Sequence, residues 1–198
     1  RFRGAAHAEA LAFDARDGAT FAALETALAA APGSRNVAVF TGSMPPQAAI
    51  DADPTLVSGT IADSFTGPAE LLTRLAPRVA ESRGTVVGVG SVAGDRGRLS
   101  NYTYGAAKAG FHTFLAGLRN RLARQGAHVL TVKPGFVDTA MTWGLPGLFL
   151  VAPPETVARA ILAAAARRRN VLYVPGFWWG IMTIIRTIPE PIFKKLSI

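Results

Sequence analysis

Five short runs of apolar and β-branched residues recur along the chain: AEALAF (8–13), NVAVF (36–40), GTVVGVG (84–90), HVLTVKP (128–134) and NVLYVPG (170–176). They are apolar on both alternating faces, which is the pattern of a strand buried between two helix layers. The longer stretches between them, at about 18–31, 56–82, 101–125 and 154–169, predict helices. Regular alternation of strand and helix predicts an α/β fold with a doubly wound parallel sheet and right-handed crossovers. Ligands of such sheets bind beyond the carboxyl ends of the strands. Ser91 directly follows one run and PGFVDT (134–139) closes another, so both are expected at the same crevice. Glycine and proline mark TGSMPPQ (41–47) and GLPGLFLVAPPE (144–155) as loops. The second reads equally as a lid over a substrate or as an ordered surface loop tucked onto the core.

Composition narrows the classes. The chain has 198 residues, 49% of them hydrophobic, enough for one well-buried domain over 1–198. It has no cysteine, which excludes a disulfide framework, a thiolate nucleophile and cysteine-ligated metal. His7, His112 and His128 are not spaced as metal ligands, so no metal is expected. No secretory leader pattern opens the chain, and a reducing cytoplasm is the expected setting. The net charge is +8, and +6 of it falls from Arg159 onward, where seven basic residues meet one acid, Glu190. This basic end lacks interleaved aromatics and any zinc or helix-turn-helix pattern, so nucleic acid is not expected as a partner.

The chemistry concentrates in GSVAGDRGRLSNYTYGAAKAG (90–110). Residues four apart share a helix face, so Tyr104 and Lys108 project side by side if 101–125 is helical. A free phenol titrates near ~10, and an adjacent ammonium favours the phenolate and lowers that value. With the strand-terminal Ser91 holding a carbonyl oxygen against the phenol, the group becomes an acid able to protonate an alkoxide as hydride arrives. A Tyr-x-x-x-Lys pair by itself is usually an aromatic ring packed on an aliphatic stem. The added serine, the small-residue helix and the Pro-Gly strand end make the combination far more specific.

On these motifs, VVGVGSVAG, YGAAK and KPGFVDT, the chain resembles the short-chain dehydrogenase/reductase family from Asp14 to its C-terminus. The resemblance implies a Rossmann-type sheet, NAD or NADP as cofactor, and a homo-oligomer, dimer or tetramer. It assigns substrate orientation to Ser91, acid/base chemistry to Tyr104, and both tyrosine activation and the nicotinamide ribose to Lys108. Pro134, Gly135, Val137 and Thr139 then meet the nicotinamide end, Asp14 lies beside the adenine, and Gly42 gives close backbone approach to the cofactor.

The family's glycine-rich turn after the first strand has no counterpart here, nor does the residue that selects NAD or NADP. The chain is therefore expected to begin near the family's third strand, lacking the first two strands and helices, as a piece of a longer protein. VFTG (39–42) replaces an Asn-Asn-Ala-Gly segment. Asp63 is expected where the family's asparagine holds a water relay to the lysine, with a charge that would oppose Lys108; the other reading makes it a solvated helix residue. The tail 177–196 is apolar, then basic, and too short to span a bilayer. It reads as an interfacial element, a subunit contact or a buried helix. Its Ile-Pro and Ile-Phe-x-Lys-Leu pattern resembles keto-sugar reductases acting on polyprenyl-phosphate carriers, which implies a lipid-linked ketone and peripheral membrane contact. The expected activity is NAD(P)H-dependent reduction of a ketone to an alcohol. The alternative is a catalytically weak relative serving as a binding or scaffold subunit.

Overall fold

The computed structural model describes residues 8–144 and 147–196; His7 and positions 145–146 of the expected lid lie outside them. Four strands, β1 (Val37–Val39), β2 (Thr85–Val89), β3 (His128–Pro134) and β4 (Val171–Val174), form a parallel sheet in the order β1-β2-β3-β4. Every neighbour is parallel, with Val39 opposite Gly88, Val89 opposite Val132, and Pro134 opposite Val174. The carboxyl ends of all four strands thus lie at one edge of the molecule.

One helix layer comprises α1 (Ala22–Ala30), α2 (Gln47–Ala52), α3 (Leu56–Ile61), α4 (Gly67–Glu81) and α5 (Tyr102–Ala123). On it, Leu72, Val79, Phe111 and Leu115 pack against Val86 and Val129 of the sheet. The opposite face is covered by α6 (Pro154–Ala166), where Val157 and Ile161 meet Val87, Leu130 and Val132. α7 (Phe177–Thr187) and α8 (Glu190–Phe193) close the chain.

Three expectations are corrected. The run 8–13 is irregular, because a strand needs a hydrogen-bonding neighbour and β1, the sheet's edge, pairs with β2 alone among the described residues. Its Phe13 instead meets Phe21 edge-on at 6.2 Å. The helix expected over 56–82 is divided by a π-helical turn, Ala62–Thr66, between α3 and α4. Gly67 follows that turn pressed on Ala15, where a Cβ would sit 1.9 Å from the carbonyl oxygen, and Pro68 next to it has no N–H for a helical bond. Finally, α2 occupies part of a stretch given no helix by its pattern.

The inner side of the tail's first helix fits the buried-helix reading. Trp178 and Met182 of α7 are buried against Val92, with Phe136 and Tyr173 packed around them. On the outer side, Trp179 is 64% and Ile184 67% exposed. No helix among the described residues is long and apolar enough to cross a membrane.

Candidate active site

β2 ends at Val89, and Ser91 follows in extended conformation, its hydroxyl capping the 3₁₀ turn Val92–Asp95 by accepting from the Ala93 N–H at 3.1 Å. The short turn packs onto α5, which presents Tyr104 and Lys108 on one face, 6% and 3% exposed. Tyr104 and Ser91 line a cavity of ≈ 310 Å³, together with Arg98, Asn101, Phe136 and Met141. Lys108 lies behind it, its Nζ 5.7 Å from the centroid of the Tyr104 ring. That ammonium donates to the carbonyls of Thr41 at 3.0 Å and Val89 at 3.2 Å, beyond β1 and at the end of β2. The spacing of 91, 104 and 108 therefore does converge on one crevice.

The electrostatics differ from expectation. Burial pushes the Tyr104 phenol above its ordinary value, while the Ser91 hydroxyl and the Arg98 guanidinium pull it down. Lys108 is not among the groups that shift the phenol here; its Nζ donates instead to the carbonyls of Thr41 and Val89. Burial also lowers the Lys108 ammonium, to about 8.

Asp63 is corrected too. Its carboxylate is held by Arg16, Nε to Oδ1 and Nη2 to Oδ2, both at 2.6 Å, and this keeps it below the usual carboxylate range. One position further, roughly 100° around a helix, the fully buried Ser64 faces the lysine side. Both the Ser64 hydroxyl and Lys108 Nζ crowd Gly42, where a Cβ would lie 3.3 Å from the one and 3.0 Å from the other. Ser64 also accepts from the Ser43 N–H at 3.2 Å.

The residues expected to hold a cofactor lie in separate places along the carboxyl edge of the sheet, Asp14 and Gly42 at one hollow and Gly135 at the cavity of Ser91 and Tyr104. Among the described residues the buried Thr41 hydroxyl has no partner, the Ser43 hydroxyl is close enough to the Asp63 carboxylate to help lower it, and Gly42 between them leaves no room for a side chain. An unpartnered hydroxyl beside an ammonium with one uncommitted proton fits the hydroxyls of a nicotinamide ribose. Asp14 lies with Thr41, Gly42 and Asp63 around an open hollow of ≈ 400 Å³. Beyond β3, the Gly135 N–H donates to the Val174 carbonyl at 3.1 Å. A Cβ at Gly135 would meet the Trp178 indole at 1.9 Å, so Pro134-Gly135 turns against α7. Val137 bridges to Ala152, and Thr142 Oγ1 ties the next turn by donating to the Val137 carbonyl at 2.6 Å and accepting from the Thr139 N–H at 3.2 Å.

Sequence reasoning missed a polar network behind Ser91. Asp95 accepts from Lys133 Nζ at 2.5 Å and from the Tyr173 hydroxyl at 2.6 Å. His112 Nε2 accepts from the Ser91 N–H at 3.3 Å, which leaves the ring proton on Nδ1, 3.8 Å from Asp95 Oδ1. Burial first, then the nearby Lys133 charge, lowers His112 to about 3, so the ring is neutral. The available signal was its place four residues after Lys108, on the same helix face. Arg98, in the cavity wall, had no signal of its own beyond lying between the two motifs.

The short chain dehydrogenase family model matches residues 3–146. An uncharacterized oxidoreductase of Mycobacterium tuberculosis (strain ATCC 25618 / H37Rv) is 32% identical over 198 residues, 99% of this chain and 80% of that protein. One from Streptomyces coelicolor is 34% identical over 120 residues, 60% of this chain and 47% of its own. Among solved structures, a short chain dehydrogenase from Burkholderia cenocepacia J2315 in complex with NADP superposes with a TM-score of 0.82 at 18% identity, covering 94% of this chain and 77% of that one. With the family match spanning most of the chain, the strand-end serine and the tyrosine lining one cavity and the lysine packed near the tyrosine ring, this protein belongs to the short-chain dehydrogenase/reductase family of NAD- or NADP-dependent oxidoreductases.

Proposed function

We propose that the protein reduces a ketone to a secondary alcohol, with Tyr104 as the proton donor. The observation that carries this reading is the cavity in which the Tyr104 phenol and the Ser91 hydroxyl share one wall, directly in front of the buried Lys108. Hydride transfer is the chemistry a bound nicotinamide supplies at this crevice. Ser91 orients the carbonyl oxygen, since its hydroxyl accepts from Ala93 and keeps its own proton to donate. Tyr104 gives its proton to that oxygen as negative charge develops there, and burial holds the phenol protonated beforehand, which suits the reductive direction. Lys108 holds the ribose and, from there, restores the phenol's acidity. The binding-subunit alternative is not favoured, because the donor, the orienting hydroxyl and the ammonium are all assembled.

Tyr104→Phe tests this. Turnover should fall at least about a hundredfold, the scale of general acid catalysis, with cofactor affinity, read by nicotinamide fluorescence, close to wild type. More than roughly a tenth of the wild-type rate in the variant would overturn the assignment. Lys108→Ala should weaken cofactor binding as well as turnover.

The finer reading is a keto-sugar on a lipid carrier. Its support is the apolar rim, where Phe136, Met141 and Leu148 face the polar wall of the cavity and Trp143 stands 85% exposed on the adjoining loop. Peripheral membrane contact would use the outer side of α7 and the basic tail. Self-association would use α4 and α5, whose outer faces leave a groove at Phe65, Gly110, Phe114 and Gly117.

A further inference from the structure

We infer that the substrate carries an oxyanion, a phosphate ester or a carboxylate, close to the reacting carbonyl, and that Arg98 is its binding residue. The inference rests on the reading of the cavity as the ketone site and names the class of ketone it takes.

Two arginines stand in the segment DRGR ahead of α5, and they are used differently. Arg96 is fully committed: Nη1 donates to the Ile185 and Ile188 carbonyls, each at 2.6 Å, and Nη2 pairs with Glu190 at 2.9 Å. The Arg98 side chain makes no hydrogen bond or ion pair among the described residues, although its Nε is fully buried. Burial works against its charge. Of the groups whose charge favours it, Tyr104 and then Asp95, the carboxylate is already occupied by Lys133 and Tyr173.

A guanidinium half withdrawn from water, without an acceptor, is costly unless a ligand supplies one. Its planar fork of donors matches two oxygens of a carboxylate or a phosphate. Arg98 lines the same cavity as Ser91 and Tyr104, so an anion bound there lies next to the carbonyl that those residues address. Asn101, in the same wall, has a buried side-chain oxygen with no partner, and a substrate hydroxyl beside the anion would satisfy it. Together they read as a site for a hydroxy-ketone bearing an oxyanion.

The test is a titration of the full chain with inorganic phosphate and with acetate, in wild type, Arg98→Gln and Arg98→Lys. One saturable site is expected, weakened about tenfold or more in Arg98→Gln and partly retained in Arg98→Lys. Tighter phosphate binding assigns a phosphate ester, and tighter acetate binding a carboxylate. Lack of saturation by either anion, or equal binding by Arg98→Gln, overturns the inference. Since the Arg98 side chain makes no hydrogen bond or ion pair among the described residues, both variants should fold, which circular dichroism checks. In a second arm, dihydroxyacetone phosphate is compared with dihydroxyacetone, and acetoacetate with acetone. One charged ketone should show the higher kcat/KM in wild type, with that ratio near one in Arg98→Gln. A ratio unchanged by the substitution counts against Arg98. Failure to reduce any ketone would sink the reductase reading instead, leaving the anion site to be decided by the titration.

Discussion

The Lys108 ammonium is buried against two carbonyls, and no carboxylate contributes to its titration. Its folded pKa of about 8 lies below the free value of 10.5. Between those values the unfolded chain holds the proton and the folded chain does not, so stability rises with pH across the window. Below about 8 both states are charged and the full burial penalty applies, about 3 kcal/mol from the shift. Lys108→Met should be more stable than wild type near neutral pH and lack the rise, as urea denaturation across the window would show. Asp63 gives the opposite expectation from its sequence reading. Because it faces Arg16, Asp63→Asn should leave the pH–rate profile in place; a profile moved toward lower pH would return Asp63 to the relay.

At the scale of elements, the strand end, the 3₁₀ turn and α5 are joined by one imidazole fitted between two glycines. A Cβ at Gly90 would stand 2.1 Å from His112 Nε2, and one at Gly94 2.7 Å from Cε1. Gly90→Ala must therefore displace the ring and break its bond to the Ser91 N–H. The expected cost is ~1–3 kcal/mol in stability, with a raised KM because Ser91 loses its anchor; an unchanged KM would show that Ser91 is held otherwise. Arg96 joins the same turn to the end of α7, filling the open carbonyls at its C-terminus. Arg96→Met should destabilise by ~1–3 kcal/mol and raise hydrogen exchange in α7 first. These ties were invisible in the sequence, because they join residues 21 positions apart at Ser91 and His112, and 89 and 92 apart at Arg96, through backbone atoms.

At the scale of the molecule, the outer side of α7 and the basic tail decide whether the crevice meets a membrane. Removing the tail would expose Trp178 and Met182 as well, so the sharper variant is Trp179→Ser with Ile184→Ser, both outward. If the face is interfacial, wild type should co-sediment with anionic vesicles at low salt and release at high salt, and the double variant should not bind. Equal sedimentation of both proteins, or of neither, would remove the membrane reading. Retention of a wild-type oligomer that the double variant loses would make the face a subunit contact.

The sequence by itself determined the layers and pointed to Ser91, Tyr104 and Lys108 as the candidate site. Apolar runs of strand length separated by helical stretches leave few arrangements other than a parallel sheet between helices. Helical periodicity is enough to set Tyr104 beside Lys108, while Ser91 joins them through the packing of its 3₁₀ turn on α5. Tertiary structure decided what each group faces. Asp63 and Ser64 differ by one step of a helix interrupted by a π turn, and only packing shows which of them looks toward Lys108. The run 8–13 is as apolar as the true strands, yet pairing is a property of a neighbour. Burial, likewise, is a property of the whole: it raises Tyr104 and lowers Lys108 and Arg98, and none of these follows from the identity of the residue alone.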